Sequence, residues 1–275
     1  MGALQPIETE EAFVDDAGVR FVVRSVSSLA RKRKASGLEL PKDRAPANPF
    51  LPPEPALTVG DLSPTHVGVL NKYPVVPHHL LVVTRQFVPQ ERLLDTDDFA
   101  VLVRCLAEID GLGFYNSGQE AGASQRHMHL QLVPLPLVGG AWDIPMEALF
   151  DSWSASGAVS RLLRLPFKHA FALFEPKLFE VPARAAERMS ELYAAQMAAI
   201  GVTDDVAAND PGQTPPYNLL VTRRWMLAVP RSREKFDAIS VNALGFAGSL
   251  FVRDETEMRA LREAGPMSLL RAVAS

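Results

Sequence analysis

The sequence predicts an α+β fold built on an antiparallel sheet that is flanked by helices. Strand-like segments occur in consecutive pairs and single helical segments separate the pairs, whereas a doubly wound parallel sheet would alternate strands and helices throughout. No stretch rich in Pro, Gly or Ser is strong enough to divide the 275 residues into independent units. We therefore expect a single domain, residues 1–275.

The first half of the chain contains five segments whose apolar residues predict strands. They are residues 19–27, 66–71, 79–84, 112–116 and 127–134. An extended connection separates the first two, because Pro41 to Pro55 includes six prolines and cannot form a regular helix. The clearest helix follows the third strand and is capped by Asp95 or Thr96. Its buried stripe is Phe99, Leu102, Val103, Leu106 and Ile109.

The second half predicts further strands and helices in a less regular order. In chain order they are a short helix at 144–153, strands at 169–175, 217–222, 225–230 and 248–252, and terminal helices after Asp254 and Pro266. A long amphipathic helix is expected from about Pro182 to Gly201, because proline suits a helix start and glycine a helix end. Its inward residues would be Met189, Leu192, Tyr193 and Met197. Residues 204–216 are expected to form a loop.

Composition excludes several classes of protein. Hydrophobic residues make up 47% of the chain, which is typical of a globular enzyme, and the formal charge of −4 argues against broad nucleic-acid binding. The basic run Arg31–Lys34 is either a solvated loop or a phosphate contact. The single cysteine, Cys105, cannot form an intramolecular disulfide and is expected in the core. With no signal peptide and no apolar run near the length of about 20 residues that spans a bilayer, we expect a cytoplasmic protein without a membrane partner.

The most informative stretch runs from Phe114 to Pro136. Side chains alternate between the two faces of a strand, so His127, His129 and Gln131 share one face, while the apolar residues between them face the core. We expect the polar face to line a wet cleft. The preceding loop, residues 116–125, contains small residues that allow backbone N–H groups to surround an anion. Imidazoles beside an anion-binding loop indicate a site for nucleotidyl transfer.

The spacing of these histidines also leaves a metal site open. A His-x-His pair on a strand is a common start for a zinc or iron site, but such a site needs a third ligand and usually a carboxylate. The remaining histidines are His66, His78, His79 and His169, and no carboxylate lies near the strand in sequence. We therefore expect no metal ligands among the site residues.

The sequence His127-Met128-His129-Leu130-Gln131, preceded by GFYNSG and GASQ, resembles the His-x-His-x-Gln signature of the diadenosine tetraphosphate phosphorylases, or ATP adenylyltransferases, of the histidine-triad superfamily. Residues 69–84, 217–232 and 241–252 resemble further blocks of that family, so the resemblance covers most of residues 20–255. It implies a histidine-triad-like antiparallel sheet with an elaborated C-terminal half.

The resemblance implies a catalytic role for each polar residue of the motif. His129 would be the nucleophile that takes the adenylyl group on a ring nitrogen, and a neutral imidazole is a good nucleophile near pH 7. His127 would position or polarise it. Gln131 stands where the hydrolase branch has a third histidine, and its amide can donate to a phosphate oxygen but cannot act as a base towards water.

The resemblance also implies a set of substrate contacts. They are Lys32, Asn71, Lys72, Asn116, Gly122, Ala123, Ser124, Gln125, Tyr217 and Asn218, with Lys34 as an equal alternative to Lys32. Asn71 and Lys72 could instead only start a turn. The chain departs from the family at Arg126 and Met128, where proline and lysine are frequent, so Arg126 or Arg223 would supply the missing charge.

The implied reaction is reversible phosphorolysis of diadenosine tetraphosphate with inorganic phosphate to ADP and ATP, through a covalent adenylyl-histidine. The alternatives are a nucleotide-sugar (hexose-1-phosphate) uridylyltransferase and a non-catalytic protein that binds dinucleotides. A divalent cation, Mg²⁺ on general grounds, is expected to accompany the phosphates, and no organic cofactor is expected. The expected partners are these small molecules, and base preference, direction of flux and oligomeric state stay open.

Overall fold

The computed structural model describes residues 2–26, 48–150, 157–202 and 214–275. The strands of the first half are β1 (Thr9–Asp16), β2 (Val19–Val26), β3 (Thr58–Asp61), β4 (His66–Leu70), β5 (Leu80–Thr84), β6 (Gly111–Ser117) and β7 (His129–Pro134). Those of the second half are β8 (Val159–Ser160), β9 (Ala170–Leu173), β10 (Tyr217–Val221), β11 (Trp225–Pro230), β12 (Lys235–Phe236), β13 (Ile239–Ser240) and β14 (Ser249–Val252). The α-helices are α1 (Thr96–Glu108), α2 (Pro182–Ile200), α3 (Ala243–Phe246), α4 (Glu255–Ala264) and α5 (Pro266–Val273).

A nine-stranded antiparallel sheet in the order β3-β4-β5-β7-β6-β10-β11-β9-β8 organises the described part of the chain. A second sheet has the order β1-β2-β14, and its β2–β14 pair is parallel. The predicted α+β class with an antiparallel sheet is therefore confirmed. At the centre of the large sheet, β6 pairs with β10 and places Asn116 opposite Asn218. This pairing joins the two halves of the chain in one sheet, and the single domain stays a prediction.

Each face of the large sheet is covered by its own hydrophobic core. On one face, Met128, Leu130 and Leu132 pack with Phe99 of α1 and Met189 of α2. This is the alternation that the sequence predicts for the motif strand, and the predicted inward residues of both long helices are also buried, apart from the half-buried Ile109.

The opposite face of the sheet carries the second core and the polar residues of the motif. Phe114, Leu220 and Trp225 of the sheet pack with Phe21 of β2 and Phe246 of α3. Because Gln131 lies opposite Phe114 in the β6–β7 register, the motif face opens onto this layer.

The structure differs from the sequence analysis in several elements. Strand β1 was not predicted, because none of its residues is buried and they include four acidic side chains in a weak pattern. The short strands β3, β8, β12 and β13 and the one-turn helix α3 were not predicted either. The helix expected at 144–153 is a five-residue 3₁₀ helix, Pro145–Leu149, and residues 151–156 lie outside the described residues. The motif strand starts at His129, while His127 forms an isolated bridge with Pro89.

The start of α1 is joined to the sheet by a buried carboxylate. Asp95 caps the helix, and Asp98 accepts a hydrogen bond from the backbone N–H of Asp95 in return. Asp98 is 1% exposed, and its other contacts are His66 Nε2 at 3.1 Å and Arg92 NH2 at 2.7 Å. One carboxylate thus joins the helix cap, strand β4 and the loop before the helix.

We predict that Asp98→Asn lowers the free energy of unfolding by about 2 kcal/mol, because it removes the buried charge partner of Arg92, a half-buried guanidinium that keeps only its ion pair with Asp95. Urea denaturation measures the change. Asp97→Asn is the matched control, since the neighbouring Asp97 is exposed on the same helical turn and its loss should cost less than about 1 kcal/mol. Equal effects of the two substitutions would contradict the assignment.

Candidate active site

His129 lies at the start of β7 with its ring held in one orientation. Its Nδ1 is 2.8 Å from the carbonyl oxygen of His127. A carbonyl only accepts, so Nδ1 carries the hydrogen and Nε2 keeps its lone pair. Among the described residues Nε2 has no hydrogen-bond partner, and the ring lines a cavity of about 290 Å³. The arrangement presents a nucleophilic nitrogen to that cavity.

The backbone of His129 is held by the buried side chain of Gln90. The Gln90 amide accepts from the His129 N–H at 2.9 Å and donates to the His129 carbonyl at 3.2 Å. It also donates to the Asn116 carbonyl at 2.9 Å, which joins the motif strand to the end of β6. Gln90 was not identified from the sequence, because the turn at residues 87–90 does not indicate which strand its side chains will contact.

His127 uses both ring nitrogens for structure. Its Nε2 is 2.8 Å from the carbonyl oxygen of Thr84 and donates to it, and its Nδ1 accepts from Asn48 Nδ2 at 2.9 Å. The ring therefore presents no free nitrogen to a substrate. His127 instead provides the backbone carbonyl that orients the His129 ring, and a catalytic role for its own side chain stays a prediction.

The expectation that the histidines face a wet cleft is wrong. His127 and His129 are 1% and 4% exposed. The ring of Phe50 covers both, with centroids 5.5 Å from His127 and 5.4 Å from His129. Burial lowers the pKa of His129 to about 4, although its bond to the His127 carbonyl acts in the opposite direction. His129 is accordingly neutral at pH 7, as a nucleophile requires.

Gln131 is hydrogen-bonded to His79, a residue to which the sequence analysis gave no role. The Nε2 atom of His79 is 3.0 Å from Gln131 Oε1, and the Nδ1 atom of His79 is 3.1 Å from Asn71 Nδ2. His79 is 8% exposed, and burial lowers its pKa to about 4. The sequence offered one indication of a role for His79: it lies directly before β5, within residues 69–84, which resemble a block of the phosphorylase family.

Asn116 lines the cavity from β6, the strand next to β7, and its orientation depends on the C-terminal half. Its Oδ1 accepts from Asn218 Nδ2 at 2.8 Å and from the backbone N–H of Ala243 at 2.9 Å. The buried Arg231 donates in turn to Asn218 Oδ1 and to the Ala121 carbonyl. Asn218 therefore supports Asn116 from behind and is not among the residues that line the cavity.

The loop after Asn116 is less available to an anion than its glycines suggest. The N–H groups of Ala121, Gly122 and Ala123 donate to carbonyls within the loop. A Cβ on Gly122 would lie 2.8 Å from the Val241 carbonyl, so this glycine allows close packing against the chain at 241–242. Ser124 lines the cavity with Gly122, and Ala123 and Gln125 line a neighbouring one. The N–H groups of Ala121 to Ala123 are therefore already used within the loop, and anion binding by the other N–H groups of residues 116–125 stays a prediction.

Three sequence-predicted residues lie away from the cavity. Tyr217 is fully buried in the core of the other face, where its hydroxyl contacts Tyr193, because neighbours on β10 point to opposite faces. Lys72 forms an ion pair of 2.7 Å with Glu54 and does not line the cavity. Arg223 donates to carbonyls at the end of α1 and supplies no charge to the motif. Lys32 and Lys34 lie outside the described residues.

The lining of the cavity combines polar and apolar side chains. The polar ones include Arg24, Asn116, Ser124, His129 and Gln131, and the apolar ones include Val75, Val76, Val241, Leu244 and Leu250. None of the described residues that line it is a carboxylate. Within the described ranges, no group of three or more His, Cys, Asp or Glu side chains is arranged to hold a metal ion. Such a cavity suits a phosphate attached to an apolar, planar group.

No helix in the described part of the chain combines the length and the apolar composition needed to span a membrane.

Within the described residues, a neutral histidine with one unpartnered ring nitrogen, beside amide and hydroxyl donors on an antiparallel sheet, is the arrangement expected of a histidine-triad-like nucleotidyltransferase. Two family models match the sequence. The Ap4A phosphorylase N-terminal domain matches residues 1–152, and the ATP adenylyltransferase C-terminal domain matches residues 163–275. The chain therefore belongs to the Ap4A phosphorylase (ATP adenylyltransferase) family, where Ap4A is diadenosine tetraphosphate.

Related proteins agree with this assignment. Diadenosine 5',5'''-P1,P4-tetraphosphate phosphorylase 2 of Saccharomyces cerevisiae is 30% identical over 244 residues, which cover 80% of this chain and 73% of that protein. Protein APA1 of the same yeast is 26% identical over 279 residues, covering 92% and 83%. The crystal structure of yeast Ap4A phosphorylase Apa2 superposes with a TM-score of 0.79 at 25% identity, covering 99% of this chain and 89% of that one. Its complex with Ap4A has a TM-score of 0.77 at 21% identity, covering 99% and 91%.

We predict that the protein loses stability as the pH falls from about 6.5 to about 4. His79 and His129 have an ordinary pKa of 6.5 and a folded-state pKa of about 4, so the unfolded chain binds more protons in this window and acid favours unfolding. Urea denaturation at a series of pH values measures the slope. His129→Asn should flatten it, while replacing the exposed His78 should not, and an unchanged slope in His129→Asn would contradict the buried neutral imidazole.

Proposed function

We propose that this protein cleaves diadenosine tetraphosphate with inorganic phosphate, giving ADP and ATP, by adenylyl transfer through His129. The observation that carries the proposal is a neutral, oriented His129 whose Nε2 has no partner among the described residues, in a cavity whose lining includes the amide and hydroxyl donors of Gln131, Asn116 and Ser124 together with the buried Arg24. The yeast relative at 30% identity is named for this phosphorylase activity, which supports the same substrate here. The substrates are then small nucleotides.

In the first step, the lone pair on Nε2 attacks the α-phosphorus and the bond to the bridging oxygen breaks. ATP leaves with that electron pair, and the adenylyl group stays on the ring. The ring gains positive charge as the P–N bond forms. Its Nδ1–H donates to the His127 carbonyl, and this bond strengthens as the imidazolium develops.

In the second step, an oxygen of inorganic phosphate attacks the same phosphorus and the P–N bond breaks. The electron pair returns to Nε2, ADP leaves, and His129 is again neutral. Because each step is a displacement on one phosphorus atom, the reaction is reversible and neither step needs a protein group to activate water. The amide of Gln131 fits this chemistry, since it donates to phosphate oxygens and offers water no base.

The phosphoryl oxygens would be held by the amide N–H₂ groups of Gln131 and Asn116 and by the hydroxyl of Ser124. These groups line the cavity, whose apolar side chains suit an adenine ring. The divalent cation, for which we propose Mg²⁺, would be held by phosphate oxygens and water, since the described lining includes no carboxylate. It would neutralise the charge of the leaving polyphosphate.

The alternatives of the sequence analysis have less support. The free Nε2 of His129 argues against a protein that only binds dinucleotides. The matching C-terminal model is that of an adenylyltransferase, which favours adenylyl over uridylyl transfer. The cytoplasmic location stays a prediction; the single cysteine, Cys105, is free and buried.

We predict that His129→Ala reduces phosphorolysis to below about one thousandth of the wild-type rate, because no other described ring nitrogen faces the cavity in a position to replace Nε2. Brief reaction of the wild type, quenched without acid and digested, should place an AMP adduct on His129 by mass spectrometry. His78→Ala is the control and should retain both activity and adduct. An adduct on another residue would refute the nucleophile assignment.

We predict that Gln131→His raises the ratio of AMP to ADP formed from diadenosine tetraphosphate at fixed phosphate. An imidazole at this position can act as a base towards water, whereas the amide cannot, so more of the adenylyl-histidine should hydrolyse. The ratio is measured by chromatography of the products, even if total activity falls. An unchanged ratio would mean that water is excluded by other means, for example by Phe50 over the histidine rings.

A further inference from the structure

We propose that His79 is a positioning residue that determines which end of the Gln131 amide faces the substrate. Gln131 has an oxygen and a nitrogen at nearly equivalent positions, and only the N–H₂ end can donate to a phosphoryl oxygen. The inference rests on the proposed function, because it concerns how Gln131 is prepared for that contact. It is carried by a chain of three hydrogen bonds whose direction cannot be reversed.

The chain begins at a backbone group. The N–H of Tyr73 donates to Oδ1 of Asn71 at 3.0 Å. A backbone N–H cannot accept, so the oxygen of the Asn71 amide must face Tyr73 and the Nδ2 atom must face the other way. Nδ2 lies 3.1 Å from Nδ1 of His79 and donates to it.

The second step determines the tautomer of His79. Because Nδ1 accepts from Asn71, it carries no hydrogen, and a neutral ring must then carry its hydrogen on Nε2. The ring is 8% exposed, and a second proton on Nδ1 would face the Nδ2 hydrogens of Asn71. His79 therefore stays neutral at pH 7 with a donating Nε2.

The third step determines the direction of Gln131. The Nε2 of His79 is 3.0 Å from Oε1 of Gln131, so the amide oxygen is occupied and Nε2 of Gln131 is left for the cavity. If the amide turned over, two N–H groups would face each other at His79 and a carbonyl oxygen would face the phosphate. Both changes are unfavourable, and the second adds repulsion where negative charge develops.

The amide of Asn116 also directs its N–H₂ end to the cavity, and the reason is independent of His79. Oδ1 of Asn116 accepts from the backbone N–H of Ala243 and from Asn218, so the Nδ2 atom of Asn116 also remains for the cavity. The two amides come from β6 and from β7. Their agreement indicates that the cavity is built to present N–H groups to an anion.

The test compares two substitutions at His79 that differ in reach. In His79→Gln, an amide nitrogen occupies about the position of Nε2 and can still donate to Gln131. His79→Asn is too short to do so. We expect the kcat of His79→Gln to stay within about tenfold of the wild-type value and the kcat of His79→Asn to fall by about a hundredfold, since one oriented donor is worth on the order of a hundredfold in kcat. The KM should change less than about threefold in either variant.

His78 provides the matched control, because it is the adjacent histidine, is exposed and lies outside the chain of hydrogen bonds. His78→Gln and His78→Asn should both keep wild-type kcat and KM. Thermal unfolding of all four variants identifies any loss of fold. Equal kcat values for folded His79→Gln and His79→Asn would overturn the proposal.

A second measurement needs neither activity nor a variant that folds. Nitrogen-15 NMR of the wild type, labelled at histidine, reports which nitrogen of each ring carries hydrogen. At pH 7 we expect His79 protonated on Nε2 only, and the Nδ1-protonated or the doubly protonated form would overturn the proposal. Failure of the proposed function would appear separately, as absence of an adenylyl-histidine in a wild type whose His79 shows the expected tautomer.

Discussion

The chemistry of this site depends on the hydrogen bond between Nδ1 of His129 and the carbonyl oxygen of His127, 2.8 Å away. That bond orients the ring, assigns its hydrogen to Nδ1 and leaves the lone pair on Nε2. Its acceptor belongs to the backbone, so the position of the proposed nucleophile follows from the conformation of the chain at His127. Thr84 and Asn48 hold that conformation by using both ring nitrogens of His127.

Burial of the His129 ring keeps it neutral, which the hydrogen bond to His127 does not do by itself. Phe50 covers both histidine rings, and desolvation lowers the pKa of His129 far enough that the ring is neutral at pH 7. A hydrated imidazole would be partly protonated near its ordinary pKa and correspondingly less nucleophilic. The same exclusion of water strengthens every hydrogen bond that Gln131 and Asn116 offer to a phosphoryl group.

The orientation of the donors depends on both halves of the chain because β6 and β10 pair at the centre of the large sheet. This pairing places Asn116 opposite Asn218, and behind them Arg231 donates to the loop at Ala121. A guanidinium can only donate, so the donors and acceptors in this network cannot exchange roles. The same holds for the hydrogen bonds through His79. The nucleophile belongs to the first half, whereas the orientation of Asn116 depends on the second.

Local periodicity in the sequence was sufficient to predict the strands around the motif, the two long helices and the common face of His129 and Gln131, since alternation along a strand needs no distant contact. The same periodicity places Tyr217 and Asn218 on opposite faces, but it does not say which face is the core. Tertiary structure alone decided that, and it also paired His79 with Gln131 across 52 positions and Asn116 with Asn218 across 102. Packing between separate segments likewise decided the burial of the histidines and the pairing of Lys72 with Glu54. Exposure and hydrogen-bond partners are properties of the folded chain and not of any one stretch of sequence.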